Sequence, residues 1–316
     1  MPLDSHDRPP TIDPRAAQRW ARRPPEAASP WLHEEIGRRM EARLDWITLK
    51  TQRWADWEPL RGGLGVHALL AKRFPGAACD VVEATEARTA AARAALETPW
   101  WQRWRGPATT FATGGDALAA GSVDMLWANM ALHTAADPQA LIARWHRALA
   151  VDGYLMFSCL GPDTLRDLRG LYTQRGWPAA GHEFTDMHDW GDMLVHAGFA
   201  EPVMDMERTV LTYETPERLL QELREIGRNL HPARFPALRG RAWRKRLLAA
   251  LQERLVPAGG EGRLSITFEI VYGHALKPVP KLKLAAESAV SLQDMRSMLQ
   301  RPRGAGAGPS GAAGAG

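Results

Sequence analysis

The sequence predicts an α/β protein built on a doubly wound sheet. Helix-like and strand-like patterns alternate over roughly the first two-thirds of its 316 residues, and such alternation is typical of this class. The clearest unit joins two apolar strands, Val123–Ala128 and residues 154–160, through one helix. Asp137 and Pro138 supply the N-cap and the first residue of that helix. Strands connected in this way form a right-handed parallel crossover.

The elements before this unit follow from the same apolar periodicity. A helix over 31–49 places Ile36, Met40 and Leu44 on one face and arginines on the other. The sequence also predicts strands at 54–57, 79–83 and about 108–112, helices at 66–74 and 85–97, and a glycine-containing loop at 58–65. These segments supply the first three strands of the sheet.

The elements after this unit are more helical. The pattern predicts helices at 163–175, 187–196, 216–230 and 239–255, and strands at 203–211 and 263–271. The last strand alternates apolar and polar residues, so we expect it at an edge of the sheet. We expect the insertions at about 161–198 and 214–258 to form a helical lid.

The chain divides into three parts by composition. Residues 1–30 are charged and rich in proline, which predicts a flexible N-terminal arm. Residues 31–278 form the main domain. Residues 279–316 form a C-terminal tail, whose sequence is of low complexity from about residue 302.

Composition also narrows the class of function. The formal charge of +4 and the pI near 9.3 are mildly basic, and the charge is well below the values typical of proteins that coat nucleic acid, so we expect no nucleic-acid partner. No apolar run reaches the roughly 20 residues of a membrane span. Cys79 and Cys159 have neither disulfide-framework nor metal-ligand spacing, which predicts two free thiols and no metal site. With a polar N-terminus, these features predict a cytoplasmic protein that does not bind membranes.

The turn after the first strand carries a nucleoside-binding pattern. Asp56 is followed by Gly62 and Gly63, and Glu83 ends the second strand. In such folds the glycines let the backbone approach the ligand, and the acid accepts hydrogen bonds from the ribose hydroxyls. No Gly-Lys-Ser/Thr follows, which excludes a phosphate-binding P-loop. On their own, the two glycines are better explained as a plain turn.

Two further polar residues follow the next strands. Asp116 comes after the third strand, where a carboxylate can bind an adenine amine. Asn129 comes just after the fourth strand, at the edge where such sheets bind ligands. Each also has an ordinary explanation, as a loop aspartate and as a turn former, so these residues alone leave the choice open.

Four longer blocks carry a family resemblance. They are SVDMLWANMALH, YLMFSCLGPDTLRDLR, HEFTDMHDWGDMLVHAGFAEPVMDMERTVLTY and ITFEIVYGHALKP. Over about residues 12–278 the chain resembles the malonyl-acyl-carrier-protein O-methyltransferases of biotin synthesis. The resemblance implies the seven-stranded, Rossmann-like methyltransferase sheet, with S-adenosylmethionine as cofactor. It also implies that the residues facing the cofactor are Asp56, Gly62, Gly63, Glu83, Asp116 and Asn129.

The implied reaction is methylation of the free carboxylate of a malonyl thioester on acyl carrier protein. That carboxylate is already ionised at pH 7, so its attack on the sulfonium methyl needs no general base. The protein has to align the reactants and exclude water. No side chain is therefore assigned a catalytic role.

The resemblance also implies where the substrate lies. The segments 161–166 and 182–189 would cover the substrate channel. Arg166 or Arg208 would pair with the malonyl carboxylate, and His188 would line the channel. Ordinary explanations stay open for all three, as surface charges and as a structural histidine.

Acyl carrier protein is the implied partner, and it is acidic. The predicted helix at 239–255 is strongly basic, and Arg241, Arg244 and Lys245 would form the face that binds the carrier. A solvated helix face explains these charges equally well.

The glycine segment departs from the family pattern Asp-x-Gly-x-Gly-x-Gly. Glu58 and Leu60 occupy the first two glycine positions, and only Gly62 remains. We expect the side chain of Leu60 to take space that the cofactor needs, and the charge of Glu58 to repel the cofactor's carboxylate. Trp20 and Ala21 replace a Tyr-Asp pair of the family's lid. Two hypotheses stay open: a methyltransferase with an altered loop, and a catalytically impaired relative that binds a carrier or another protein.

Overall fold

A seven-stranded sheet organises the fold. The computed structural model describes residues 12–24, 28–97, 108–257 and 262–280. In these residues the strands are β1 (Arg53–Trp57), β2 (Ala78–Glu83), β3 (Thr109–Thr113), β4 (Val123–Ala128), β5 (Leu149–Leu160), β6 (Ala200–Tyr213) and β7 (Leu264–Leu276). The helices are α1 (Pro14–Ala21), α2 (Trp31–Ala42), α3 (Pro59–Gly62), α4 (Leu64–Arg73), α5 (Glu86–Leu96), α6 (Pro138–Ala148), α7 (Arg166–Gln174), α8 (Met187–His196), α9 (Pro216–Ile226) and α10 (Arg241–Leu255).

The strand order is β3-β2-β1-β4-β5-β7-β6. The first five strands pair in parallel, and β7 runs antiparallel to both β5 and β6. The sequence order reverses between β1 and β4, which is the switch point of a doubly wound sheet. The predicted fold class is confirmed.

The predicted position of the last strand is wrong. β7 lies between β5 and β6, and β6 forms the edge. Ile266, Phe268 and Ile270 of β7 are buried, whereas Val203 and Val210 of β6 are more than half exposed. Helices cover both faces of the sheet at β7. The alternation in 263–271 arises because one face of this strand is more completely buried than the other.

Two hydrophobic layers enclose the sheet. On one side the buried residues of α2, α4, α5, α7, α9 and α10 pack on the strands in one cluster that includes Met40 and Leu70. On the other side α6 and α8 pack in a second cluster, in which Trp145 meets Trp57 edge to face at 5.8 Å between ring centroids. Each fully buried large side chain contributes about 1.5–3 kcal/mol to these layers.

The N-terminal segment differs from the predicted flexible arm. Residues 14–21 form α1, with Asp13 as the N-cap and Pro14 in the first turn. Ala16 and Trp20 are buried in a small cluster with Leu230. The amide of Asp13 also donates to the carbonyl of Leu230 at 2.8 Å. A capped helix with one apolar face therefore docks on the domain, while residues 1–11 and 25–27 lie outside the described residues.

The later helices flank the sheet, and their predicted role as a lid stays a prediction. Helices α7, α9 and α10 lie on one face of the sheet, and α8 lies on the other. The chain divides into two compact units, Met1–Val279 and Pro280–Gly316, and only Pro280 of the second unit is described. The predicted tail at 279–316 therefore lies almost wholly outside the described residues. Across the described ranges, no helix has the length and apolar character needed to cross a bilayer.

Candidate active site

A cavity of about 470 Å³ lies at the carboxyl ends of the central strands. Trp57 and Glu58 line it from the end of β1, and Glu83 and Ala84 line it from the end of β2. Thr134, beyond β4, lines the opposite side. Ligands of doubly wound sheets bind at this edge, and the volume falls within the range of about 300–1,000 Å³ usual for small-molecule sites.

Helix α1 covers this cavity. Pro14, Ala17 and Trp20 are among its lining residues. The guanidinium of Arg61 stacks on the ring of Trp20, 3.8 Å from the ring centroid, and donates to the carbonyl oxygen of Trp20. The lid is therefore an N-terminal helix held to the substituted glycine segment by one arginine. The sequence could have shown it, since Asp13-Pro14 is a helix start and Ala16, Ala17 and Trp20 share one face.

The glycine segment is helical rather than a loop. Residues 59–62 form α3, and α4 begins at Leu64. Glu58 precedes them with φ +56°, in the left-handed region that favours glycine. Gly63 has φ +138°, and an added Cβ would meet Val66 Cγ2 at 3.0 Å, so glycine is required there.

Leu60 does not take the cofactor's space, so that expectation is wrong. Its side chain is buried in the hydrophobic layer with Leu32 and Ile36 of α2. It is absent from the lining of the cavity, whereas Glu58 lines it. The helical turn directs the side chain of Leu60 into the core and leaves that of Glu58 at the ligand edge of the sheet.

Glu83 is the one predicted cofactor residue that lines the cavity. Its carboxylate is fully buried and accepts hydrogen bonds from the Leu60 amide at 3.0 Å and from Arg88 Nε at 2.9 Å. Burial, and next the charge of Glu58, raise the pKa of Glu83 to about 7, against the opposing effect of Arg88. A carboxylate has about four acceptor positions, so two are unused by the described residues, and the buried side chain would have to turn towards the cavity to present them to ribose hydroxyls.

Asp56 lies beneath the segment rather than in the cavity. Its Oδ2 atom lies 2.7 Å from Nδ1 of His67, and both side chains are buried. Burial raises the pKa of Asp56, and the hydrogen bond with His67 opposes that shift. The contact joins the end of β1 to α4, so Asp56 fixes the start of the segment.

Asn129 and Gly62 also have structural roles. The Nδ2 atom of Asn129 donates to the carbonyls of Gly62 and His33, and its Oδ1 accepts from Ser158 Oγ at 2.6 Å. A Cβ added to Gly62 would meet the carbonyl oxygen of Asn129 at 3.1 Å. These contacts tie α2, α3, β4 and β5 together behind the cavity, and neither residue lines it.

Asp116 does not face the cavity as predicted. Its side chain is 77% exposed and pairs with Arg147 at 2.8 Å. The preceding Gly114 and Gly115 line the cavity instead. The guanidinium of Arg144 lies against Gly115, where an added Cβ would be 2.6 Å from Nη1. Arg144, Gly114 and Gly115 thus form the part of the wall where Asp116 was predicted.

The predicted substrate residues lie outside the cavity. Arg166 and Arg208 meet at Asp163, with N–O distances of 3.4 and 2.6 Å. His188 is largely exposed and lies 2.6 Å from the carboxylate of Asp186. The structure therefore brings the two arginines together, but in a surface ion cluster and not at the ligand edge.

The basic residues of α10 stay apart from the cavity as well. Arg241, Arg244 and Lys245 are exposed, and the nearest acid to Arg244 is Glu217 at 4.0 Å. None of the three lines the cavity. They form a solvent-facing basic surface of α10.

Two arginines in the cavity were not predicted. Arg61 is largely buried, and its nearest carboxylate, Glu58, is 3.7 Å away. Burial lowers the pKa of Arg61 to about 10, so it stays charged at pH 7. The Nε atom of Arg144 is buried without a hydrogen-bond partner among the described residues. Both cations are suited to a ligand carboxylate, and no sequence motif indicated either of them.

Three buried histidines lie beside the cavity and carry no charge at pH 7. Burial lowers the pKa of His33 and of His182 to about 4, and burial also holds the pKa of His133 well below its usual value. The Nε2 atom of His182 lies 3.1 Å from the carbonyl oxygen of His133. Among the described residues, no group of histidine, cysteine and acidic side chains could hold a metal ion.

Comparisons with known proteins agree with this geometry. Residues 62–157 match a family model described as a methyltransferase domain. A malonyl-[acyl-carrier protein] O-methyltransferase from Gallionella capsiferriformans is 40% identical over 262 residues, covering 81% of this chain and 87% of that protein. The enzyme of the same name from Laribacter hongkongensis is 40% identical, covering 80% of this chain and 86% of its own.

A solved structure shares the fold alone. It is a Bacillus halodurans protein assigned as a methyltransferase, 16% identical, with a TM-score of 0.50, covering 76% of this chain and 99% of that one. The identity to the two relatives is high enough, and extends over enough of the chain, to show the family as well as the fold. The chain belongs to the malonyl-[acyl-carrier protein] O-methyltransferase family.

Proposed function

We propose that this chain transfers a methyl group from S-adenosylmethionine to the free carboxylate of a malonyl thioester on acyl carrier protein. One observation carries the proposal. In a chain 40% identical to such enzymes over most of its length, a covered cavity lies at the carboxyl ends of β1, β2 and β4. The resemblance of the sequence blocks to the family of biotin synthesis implies that the product is a biotin precursor, and the buried free thiols of Cys79 and Cys159 suit the cytoplasm.

The cavity fits S-adenosylmethionine in place, size and chemistry. Its volume suits a nucleoside with an amino-acid arm, and Glu83 keeps acceptor positions for ribose hydroxyls. Gly114 and Gly115 form a wall without side chains, and Trp57 adds an aromatic surface. The described part of the chain therefore has the groups that this cofactor needs, while the charge of Glu58 is unfavourable for its carboxylate.

Arg61 and Arg144 would hold carboxylates in this site. Arg61 donates to the carbonyl oxygen of Trp20 and lies 3.7 Å from its nearest carboxylate, Glu58, and Arg144 has a buried Nε that lacks a partner among the described residues. A guanidinium binds a carboxylate with two parallel hydrogen bonds, which fixes orientation as well as position. One carboxylate belongs to the cofactor's amino-acid part, and the other is the malonyl group to be methylated.

The reaction needs alignment rather than proton transfer. The cofactor supplies an electrophilic methyl group on a sulfonium, whose S–C bond breaks as the new ester O–C bond forms. The malonyl carboxylate is ionised at pH 7, and the three histidines beside the cavity are neutral, so none is required as a base. Helix α1 and Trp20 exclude water from the site, which strengthens the contacts of both arginines.

The exposed basic face of α10 is our proposed contact for the carrier protein. Arg241, Arg244 and Lys245 project into solvent from one helix, and the acidic carrier is complementary to them in charge. Charge steering of this kind raises the association rate and weakens with salt. Replacing all three with glutamine should lower kcat/KM for the carrier thioester at low salt more than at high salt.

A direct assay tests the proposed function. Purified chain, S-adenosylmethionine and malonyl-carrier should yield S-adenosylhomocysteine and a carrier heavier by one methylene unit in mass spectrometry. Calorimetry with S-adenosylhomocysteine should give binding in the micromolar range. Turnover of neither malonyl-carrier nor a small malonyl thioester, with no binding heat at millimolar ligand, would favour the impaired relative instead.

A further inference from the structure

The segment between α9 and α10 exposes a leucine almost completely. Leu238 is 99% exposed, more than any other large apolar side chain among the described residues, and Phe235 in the same segment is 41% exposed. A single exposed apolar side chain is common on protein surfaces and carries no meaning by itself. Leu238 differs because its segment is held in place, lies beside the cover of the active site, and precedes a basic helix.

Stacked side chains hold the segment against α10. The guanidinium of Arg239 lies 4.4 Å from the ring centroid of Phe235 and 3.6 Å from that of Trp243 in α10. The ring of Trp243 in turn packs edge to face on Trp177, with 4.3 Å between the ring centroids. Leu238 therefore projects from an anchored segment, which lowers the conformational entropy lost when a partner covers it.

The segment also lies beside α1, which covers the active-site cavity. A second cavity, about 540 Å³ in volume, lies between α1 and residues 228–238, and Leu238 and Trp20 are among the residues that line it. Trp20 also lines the active-site cavity. Arg234 ties the segment to the start of α1 through Asp13, at 2.7 Å. A protein seated on Leu238 would therefore lie next to the cover of the active site.

The start of α10 favours an acidic partner. Its first turn contains no acid, and its N-cap, Gly240, has no side chain to accept from the first amides. Arg241, Arg244 and Lys245 lie within its first five residues. Positive side chains at the positive end of the helix dipole are unfavourable, whereas an anion there is favourable. An acidic partner that covers the preceding segment would therefore also stabilise this end of α10.

Charge also decides between two kinds of partner. Two copies of the chain that met at Leu238 across a twofold axis would bring their basic α10 ends together, and like charges repel. The proposed function supplies an acidic partner, the carrier protein, whose carboxylates would instead pair with α10. The surface therefore suits the carrier better than a second copy.

We propose that residues 235–238 form the apolar part of the surface that binds the carrier protein, with Leu238 inserted into an apolar depression on the carrier. This inference rests on the proposed function, which supplies the partner. It assigns a role that the charges of α10 do not have. Charges mainly raise the rate of association, whereas burial of an apolar side chain slows dissociation.

The test measures the affinity of the full chain for fluorescently labelled acyl carrier protein, with and without its prosthetic group. Leu238→Ser should raise the Kd about tenfold or more, by the same factor at low and high salt and for both forms of the carrier. It should raise the KM for malonyl-carrier and leave kcat, and both constants for a small malonyl thioester, unchanged. An unchanged Kd, or equal losses with the two thioesters, would overturn the proposal.

Leu69→Ser is the matched control, because it removes the same side chain from α4, where Leu69 is 37% exposed. It should leave the affinity for the carrier unchanged, and an equal loss in both variants would overturn the proposal. Sedimentation of the natural chain and of Leu238→Ser tests the other partner. A dimer that Leu238→Ser dissociates, with carrier affinity unchanged, would make the segment an interface between copies and would also overturn the proposal.

Two outcomes separate this inference from the proposed function. Carrier binding that Leu238→Ser weakens, with no methyl transfer to any thioester, would overturn the proposed function and keep the docking surface. Methyl transfer to both thioesters, with a carrier affinity that Leu238→Ser leaves unchanged, would keep the proposed function and overturn the docking surface.

Discussion

Glu58 is the residue that tests the altered glycine segment most directly. Its backbone has φ +56°, which costs a side-chain-bearing residue about 1–2 kcal/mol, and its carboxylate lines the cavity. Glu58→Gly should raise the free energy of unfolding by about 0.5–1 kcal/mol after the extra backbone entropy of glycine is subtracted. It should also strengthen the binding of S-adenosylhomocysteine about tenfold, because a charge that repels the ligand carboxylate is removed. Thermal unfolding and calorimetry measure the two effects.

Glu201 provides the matched control for this substitution. It has φ +50°, is exposed on β6 and is outside the cavity lining. Glu201→Gly should therefore give a similar stabilisation without any change in affinity. A gain in affinity in both variants would trace the effect to stability and contradict the role given to the Glu58 charge.

The raised pKa of Glu83 predicts how ligand binding depends on pH. Burial and Glu58 raise its pKa from 4.5 to about 7, and the ionised carboxylate is the stronger acceptor for ribose hydroxyls. The affinity for S-adenosylhomocysteine should therefore rise as the pH rises through about 7. The folding stability of the unliganded chain depends on pH in the opposite direction. The stability that comes from this raised pKa is present below pH 4.5 and is lost as the pH rises through about 7.

Calorimetry over this pH range, in the natural chain and in Glu58→Gly, checks the assignment. The variant lacks one of the two causes of the raised pKa, so its binding midpoint should move to lower pH. An affinity that is independent of pH, or an unmoved midpoint, would show that Glu83 does not titrate in the binding event.

At the scale of elements, α1 acts as the cover of the site. Trp20→Ala removes the ring on which Arg61 stacks and opens the wall between the two cavities. The dissociation rate of S-adenosylhomocysteine should rise about tenfold, because α1 loses its stacking contact with Arg61 and keeps its contacts with Leu230 and Arg234, so the lid opens more often. Stopped-flow displacement measures the rate, and hydrogen exchange should rise within α1.

Trp46→Ala is the control for this change. Trp46 is 88% exposed and lies in the turn after α2, outside both cavities. Its loss should leave the dissociation rate and the exchange of α1 unchanged. A similar rate in the two variants would mean that α1 does not gate the site.

Most elements were predictable because their signals are local. The crossover through α6 combines a cap, a proline in the first turn and an apolar stripe, and these features act within one helix. The place of β7 was not predictable in this way. The alternation between 264 and 276 shows which residues are apolar, whereas the insertion of β7 between β5 and β6 depends on pairing with strands that are distant in sequence.

The site was less predictable than the fold, and the reason lies in the glycine segment. The pattern located Glu83 correctly at the cavity, since a strand end fixes that position. Leu60 was placed in the cofactor's space on the assumption of an extended glycine loop, but the segment closes into a helical turn and buries this side chain. Arg61 and Arg144 follow only from that turn and from the approach of α6, which no single motif encodes.

At the scale of the whole molecule, the active-site cavity and the basic face of α10 belong to one continuous arrangement of neighbouring regions. The active-site cavity holds Glu83 and two arginines, and Trp20 closes it on the side of the second cavity, between α1 and residues 228–238. The basic face of α10 follows those residues in the chain. This arrangement suits a substrate that a separate acidic protein presents.

The extent of the folding unit gives a last prediction. The sheet's final strand ends at Leu276, and Lys277 then closes it against β5 through hydrogen bonds to Gly153 and Leu149 at 2.8 and 2.6 Å. A chain ending at Pro280 should therefore keep the melting temperature and the ligand affinity of the full chain. A chain ending at Gly273 loses Lys277 and the pairs of β5 with His274, Ala275 and Leu276, so it should fail to fold cooperatively. Calorimetric melting of the three chains compares them, and a lowered melting temperature for the chain ending at Pro280 would place part of the stabilising structure beyond the unit that closes at Lys277.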